Sequence, residues 1–470
     1  MVGIGTLDAE GRSTTCHARQ GVRLSGINPA ANMVGSGMWE GRRVTVIGLG
    51  RSGIAAARLL CRMGCRVRVT EAKHTAALQT MREALWAQGV EAVELGGHTS
   101  AFIEETELVV VSPGVPESTG PMQWAMERGV PIISEIELAF QSCRGPIVAV
   151  TGTNGKSTVV TLIAEVLRSS GRPAVACGNL GIPFSSILDR LTPQTTAVVE
   201  VSSFQLLWCR QFRPMIGVLL NVGNNHLDRH RDKRAYLAAK ARLFQRQTGQ
   251  DWAVLNGLDA DIVAWSRSCA SRCVWFGENH SNPPALTLDP ETLRSLTLSA
   301  QAVLQVARLL GIPDPLAWQV IRSFKGLEHR LEHVATVRGV HFVNDSKSTT
   351  PESLLYALTQ TPREVVVIAG GRDKGMDFAP LVGPLHDQRV RGIVLMGESR
   401  STLRALLNGA ARPIVQEHET LEAAVQAAAR LAMPGTTVLF SPPCASFDMF
   451  RDFEDRGKAF KAAVRRMEAE

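Results

Sequence analysis

The segment TGTNGKST at residues 151–158 constrains this chain more than any other, because it lies between an apolar run, IVAV, and a long apolar-periodic stretch that ends at Gly171. Gly152 and Gly155, with Thr153 and Asn154 between them, free the backbone to wrap phosphate oxygens, and Lys156 adds a point charge. Ser157 or Thr158 offers a hydroxyl to Mg²⁺. A strand before and a helix after is the setting in which such a loop holds a nucleoside triphosphate. The general P-loop spacing puts glycine at position 150, where this chain has Val150, so a chance match in a plain strand-to-helix turn is the bland alternative.

The same order of strand, glycine turn and helix occurs earlier and later. In RVTVIGLGRSGIAAARLLCRMGCRVRVTEAK, Val44, Val46 and Ile47 predict a buried strand, residues 54–60 a helix and residues 67–70 the next strand. Gly48, Gly50 and Gly53 let backbone N–H groups and a helix N-terminus approach an anion, with a dinucleotide site as the generic reading and Glu71 as its ribose partner. A strand-turn follows at LVVVSPGVP, and further strands are predicted near residues 197–201 and 216–220. After FKGLEHR, a third unit starts near Leu331, with strands at HFVND, EVVVIAGG, RGIVLMGE and TTVLFSPP. This alternation predicts an α/β chain of mostly parallel sheets covered by helices on both faces. Residues 1–38 read as a loose extension, with Met33 or Met38 as alternative starts, and residues 281–284 as a surface loop of the middle unit.

Bulk properties exclude several classes. At 470 residues the chain exceeds one core, and no apolar run is long enough to span a membrane. Nine scattered cysteines form no zinc spacing and point to a reducing, cytoplasmic compartment. Cys61 with Cys65, and Cys269 with Cys273, would each share a helical face if those segments are helical, where core packing is expected. A net charge of +7 lacks the basic blocks and interleaved aromatics of a nucleic-acid binder and suits anionic small substrates or an ordinary solvated surface.

TGTNGKST, GNLGIP, EVSSFQL, NHLDRH with a lysine shortly after, GLEHRLE, NDSKSTT, GGRDKGMDF and SPPCASFD occur in the order found in the Mur ligases, which the chain resembles over residues 40–465. EVSSFQL and SPPCASFD are similar to the D-glutamate-adding branch; the DNPR-type motif of the diaminopimelate- or lysine-adding branch is absent. The resemblance implies three domains: a Rossmann-like N-terminal domain at 39–142 binding a UDP-linked substrate, a central P-loop-type ATPase domain at 143–328, and a C-terminal Rossmann-like α/β domain at 329–470 binding D-glutamate. It implies an amide ligase of peptidoglycan precursor synthesis that uses ATP and two Mg²⁺ ions to join D-glutamate to UDP-N-acetylmuramoyl-L-alanine, as a cytoplasmic monomer without membrane insertion.

Residue by residue, the resemblance assigns the 152–158 loop to ATP, with Ser157, Glu200, His226 and a carbamylated Lys240 around the metal. Glu200 ends an apolar strand, which delivers its carboxylate to the sheet edge where ligands bind. Arg330 and Asp345 would embrace the nucleotide, and Lys156, His226, Lys240 and Lys347 would form the catalytic set. Arg51, Ser52, Glu71, Lys73, Ser112, Gly114 and Asn179 would meet the UDP substrate, and Thr349, Lys374, Ser441 and Phe447 the D-glutamate. Phe447 reads equally well as core, and Arg456 matches a family arginine of less certain role. Two departures stand out: Asn225 replaces an acid before the histidine, and Thr297-Leu298 replace a His-Asn pair expected to face the nucleotide. Those departures leave a catalytically weak ATP-binding regulator as one alternative. A dehydrogenase, suggested by the first glycine loop alone, and a related ligase, such as a folylpolyglutamate synthetase or another amino-acid-adding Mur enzyme, are the others.

Overall fold

The computed structural model describes residues 39–223, 230–277, 290–373, 375–407 and 413–469. Three sheets account for its strands. The first is built from β1 (Arg43–Ile47), β2 (Arg66–Glu71), β3 (Ala92–Leu95), β4 (Leu108–Val111) and β5 (Ile132–Ser134), ordered 3-2-1-4-5 and parallel throughout. β4 is apolar along its length and β1 is buried beyond Arg43, because helices cover both faces, among them α1 (Arg51–Arg62), α2 (Ala76–Trp86) and α3 (Gly120–Glu127). Gly53 is required by packing: a Cβ there would stand 1.9 Å from the Gly48 carbonyl oxygen, so only glycine lets α1 start directly over the β1 turn.

The next helix, α4 (Glu135–Ser142), follows β5 and leads into the second sheet. Its Leu138 packs with the first core, whereas Ile136, Ala139 and Phe140 pack with the second. Two buried carboxylates fix it further. Glu135 accepts a 2.6 Å hydrogen bond from Ser185 N–H, and Glu137 accepts from the backbone N–H groups of Arg210, Gln211 and Phe212. Burial pushes the Glu135 carboxyl up, and each hydrogen bond of this kind contributes about 1 kcal/mol net.

The second sheet comprises β6 (Ile147–Thr151), β7 (Ala174–Gly178), β8 (Thr196–Glu200), β9 (Ile216–Leu219), β10 (Trp252–Asn256) and β11 (Arg272–Phe276), in the order 11-10-9-6-8-7 and all parallel. β6 lies between β8 and β9, so the phosphate loop at its end is flanked by the ends of both. The first two sheets belong to one compact unit and the third to another. Leu298 packs against the core of the second sheet, which accounts for an apolar residue where the family resemblance expects an amide. Thr297 and Asn225 lie outside what the structure describes in side-chain detail, as does the 281–284 run.

The third sheet, β12 (Glu332–Val337), β13 (Val340–Asn344), β14 (Val365–Gly370), β15 (Val390–Met396), β16 (Ile414–Glu417) and β17 (Thr437–Phe440), is ordered 12-13-17-14-15-16. Its one antiparallel pair, β12 with β13, turns through Arg338 (φ 50°) and Gly339 (φ 80°), the two positive angles of a tight type I′ hairpin. The parallel expectation holds for its other pairings. The cysteine pairs are not helical pairs: Cys61 is in α1 with Cys65 beyond its end, and Cys273 is on β11 with Cys269 before it. All four border the hydrophobic cores, as packing residues do.

Candidate active site

The loop after β6 enters α5 (Lys156–Ser169) through Gly155 at φ 82°, a left-handed angle that suits glycine and turns the chain sharply into the helix. Lys156 folds back, its Nζ donating to the carbonyls of Gly152 at 2.9 Å and Thr153 at 2.8 Å. Ser157 is buried on the first turn and donates to Glu200 Oε2 at 2.6 Å, and Asn179 Nδ2 donates to Glu200 Oε1 at 3.0 Å. Thr158 follows half-buried on the same helix. The loop, the strand-end acid and the GNLG asparagine, widely separated in sequence, thus meet within hydrogen-bonding distance.

Two residues that the motifs did not single out hold this loop. Asn221, just past β9, accepts from the N–H groups of Thr153 (3.0 Å) and Asn154 (2.9 Å) through Oδ1 and donates to the Asn154 carbonyl. Its position gave a signal of the same kind as Glu200, a polar side chain at the C-terminal end of an apolar strand. Tyr236, on α7 (Lys233–Ala241), which follows α6 (Ser203–Leu207), hydrogen-bonds Thr153 and places its ring 4.2 Å from Lys240 Nζ. Thr153 Oγ1 also accepts from Gly223 N–H at 2.8 Å, so the loop is tied to the chain just before His226. His226 itself lies outside the described residues, as does Lys374.

Lys240 is buried, 1% exposed, and its Nζ donates to the Gly152 carbonyl at 2.8 Å. Burial, reinforced by repulsion from Lys156 and only partly offset by Glu200, holds its ammonium well below the usual lysine range. Such lowering favours the neutral amine, the form that attack on CO₂ requires. The oxygen set fits Mg²⁺, a hard cation that takes few protein ligands and keeps phosphate and water: a hydroxyl and a carboxylate stand together at the helix start. No group of three or more His, Cys, Asp or Glu gathers among the described residues.

In the first sheet, Arg51, Ser52, Glu71, Lys73, Ser112 and Gly114 line one cavity of about 470 Å³. Glu71 accepts from Leu49 N–H at 2.7 Å and from Lys73 N–H at 3.0 Å, bracing the glycine loop. Ser112 donates to the Gly48 carbonyl at 3.0 Å. Asn179 is not on this wall, but Gly181 of the same GNLG loop lies against it, since a Cβ there would be 3.3 Å from Arg51 Nη1.

In the other unit, Asp345 is buried and accepts from Ser441 Oγ at 2.8 Å and Leu331 N–H at 3.2 Å. Desolvation lifts its carboxyl to about 6, against the lowering pull of Ser441, Arg330 and Arg456. Arg330 sits between two residues with left-handed backbones, His329 (φ 62°) and Leu331 (φ 46°), a strain of order 1–3 kcal/mol at each. Lys347 donates its N–H to the His329 carbonyl, and its Nζ lies 5.8 Å from the Phe453 ring. Arg456 is the largest buried side chain here, donating to Ser346 and to the Cys444 and Ser348 carbonyls, with burial pulling its guanidinium down to about 10. It therefore braces the 345–349 turn, where Thr349 is half-buried. Phe447 is 51% exposed, which removes the core reading for it.

Residues 42–134 match the Mur ligase MurD-like N-terminal domain, residues 150–302 the Mur ligase middle domain and residues 329–444 the Mur ligase glutamate ligase domain. A protein of Desulfosudis oleivorans named UDP-N-acetylmuramoylalanine--D-glutamate ligase is 37% identical, over 91% of this chain and 97% of its own. One of the same name from Anaeromyxobacter dehalogenans is 40% identical, over 90% and 97%. Among solved structures, MurF ligase from Thermotoga maritima in complex with ADP superposes with a TM-score of 0.57 at 16% identity, covering 92% of this chain and 97% of that one. MurF from Acinetobacter baumannii gives 0.53 at 16%, covering 93% of each, a likeness of fold.

Proposed function

The chain belongs to the Mur ligase family, and from that premise we propose that it joins D-glutamate to UDP-N-acetylmuramoyl-L-alanine at the expense of ATP. Relatives that cover about nine-tenths of its length carry the name of that activity. The observation that carries the chemistry is the buried Lys240 amine bonded to the phosphate-loop carbonyl of Gly152, beside Lys156 and Glu200.

A carboxylate does not react with an amine because oxide is a poor leaving group. Transfer of the terminal phosphoryl group of ATP to the alanyl carboxylate gives an acyl phosphate and ADP. The D-glutamate amine then adds to the acyl carbon, a proton leaves the nitrogen, and the tetrahedral intermediate expels phosphate as the amide forms. The N–H groups of the 152–158 loop hold the nucleotide phosphates, and Lys156 turns from its own loop carbonyls to phosphate oxygen. Ser157 and Glu200 would hold Mg²⁺, with His226 and Lys240 completing a two-ion site; the ions, when bound, neutralise the phosphate charge.

The Lys240 amine, in its unprotonated form, would take up CO₂, forming an N–C bond and releasing a proton to give a carbamate. The carbamate nitrogen keeps one hydrogen for the Gly152 carbonyl, and its oxygens supply the negative charge that a lone Glu200 lacks. Arg330 and Asp345 would position the nucleotide, and Lys347 the transferring phosphate. Thr349, Lys374, Ser441 and Phe447 would receive D-glutamate. Since the Ser441 proton is committed to Asp345, Ser441 can only accept, which suits the amino acid's nitrogen and leaves the carboxylates to Lys374 and to backbone donors. Arg51, Ser52, Glu71, Lys73, Ser112, Gly114 and Asn179 would bind the UDP substrate. No described helix is long and apolar enough to cross a membrane.

The deciding experiment measures phosphate release with ATP, Mg²⁺ and UDP-N-acetylmuramoyl-L-alanine against a panel of amino acids. Release with D-glutamate alone is expected. Release with L-lysine or diaminopimelate in its place would overturn the assignment.

A further inference from the structure

The cavity in the first sheet has a wall that no motif predicted. His98, three residues past β3, lines it beside Glu71 and Lys73. Its Nδ1 is 2.7 Å from the hydroxyl of Thr70, which is completely buried near the end of β2. Thr70 Oγ1 in turn donates to Glu94 Oε2 at 2.8 Å, and Glu94 Oε2 accepts a second bond from Thr99 N–H at 3.0 Å. The other oxygen near Thr70, the Gly97 carbonyl at 3.5 Å, can also only accept.

A hydroxyl has one proton, and here it is claimed by an oxygen that has none to give. The short contact with His98 is then attractive only if Nδ1 carries a hydrogen and donates it. In a neutral imidazole that choice makes Nε2 an acceptor. The chain Glu94, Thr70, His98 therefore fixes the tautomer of a ring that faces a ligand cavity. Pointing the ring's remaining nitrogen outward as an acceptor selects a partner with a hydrogen to donate.

Strand order locates that partner. The glycine loop after β1 and the start of α1 suit a diphosphate, so the nucleoside extends over the ends of β2 and β3, where Glu71 and His98 lie. Both Glu71 oxygens already accept backbone N–H groups. We propose that His98 is a specificity-determining residue, a neutral imidazole whose Nε2 accepts a hydrogen bond from the nucleoside half of the bound nucleotide, with Thr70 and Glu94 as its positioning residues. The donor is the base N3–H or a ribose hydroxyl. The proposal rests on reading this cavity as the UDP site.

The test is calorimetric titration of the full chain with UDP, N3-methylated UDP and the two deoxyribose analogues of UDP. The unaltered protein is compared with His98→Ala, His98→Gln and Thr70→Val. His98→Ala is expected to weaken UDP binding about tenfold, with partial recovery in His98→Gln. The penalty should vanish for whichever analogue lacks the donor, and that analogue identifies it. Thr70→Val should weaken UDP severalfold, and ¹⁵N NMR should show the Nδ1–H tautomer of His98 lost in that variant. An Nε2–H tautomer in the unaltered protein, or an undiminished His98→Ala penalty with every analogue, would overturn the proposal. Failure of the unaltered protein to bind UDP at all would overturn the cavity assignment itself, and this proposal with it.

Discussion

Replacing Asp345 by asparagine should stabilise the protein at neutral pH while damaging its activity. The folded state holds the Asp345 carboxyl at about 6, against 3.8 for the free group, chiefly through burial. A shift of roughly two units, at about 1.4 kcal/mol per unit, amounts to about 3 kcal/mol. The sign follows from proton counting. Between pH 3.8 and about 6 the folded chain keeps a proton that the unfolded chain has released, so Asp345's contribution to stability falls as pH rises through that window. Above it the ionised, buried carboxylate carries the full penalty. An asparagine amide has no such proton to lose, so the stability of Asp345→Asn minus that of the unaltered protein should climb by about 3 kcal/mol from about pH 4 to about pH 8. No tryptophan lies beyond Trp318, so urea unfolding should be followed by far-UV circular dichroism instead of fluorescence. Ligase turnover should fall about tenfold to a hundredfold, the worth of a lost charge-assisted contact. A stability difference that stays flat across this pH range would refute the account of Asp345 as a strained, costly carboxylate.

Three further outcomes are expected. Lys240→Ala should lose at least a hundredfold in phosphate release, with partial rescue by short carboxylates that stand in for a carbamate; activity equal to that of the unaltered enzyme would rule the carbamate out. Gly53→Ala places a Cβ 1.9 Å from the Gly48 carbonyl and should cost about 1–3 kcal/mol, with weaker UDP binding by calorimetry; an unchanged melting temperature would count against the tight α1 start. Glu137→Ala leaves three backbone N–H groups without their acceptor, one of them, that of Phe212, buried, and should lower stability by about 2–4 kcal/mol, read from the urea midpoint, whereas a loss under about 1 kcal/mol would show that water replaces the carboxylate.

Much of this architecture could be read in advance, for identifiable reasons. Buried parallel strands such as β6 and β14 are built on continuous apolar runs closed by glycine, and the backbone demands of phosphate binding leave little freedom in TGTNGKST. β12 was hidden because its hairpin turns on Arg338 at positive φ, a residue type that gives no turn signal. Asn221 and Tyr236 were missed because their work is done on backbone and on a neighbouring side chain across the fold, which local spacing does not encode. The His98 tautomer depends on three side chains brought together from β2, β3 and the turn beyond, and no sequence window contains the reason for it.

The helix α4 faces two ways, giving Leu138 to one core and Phe140 to the other, with Glu137 pinned to a loop of the second sheet. No clean seam therefore separates the first two sheets. A fragment ending near residue 142 would leave Ile136 and Phe140 bare and a carboxylate without its donors, and it should clump instead of standing alone. Exchange between relatives has to move both sheets as a block, because the one helix is mounted in both cores.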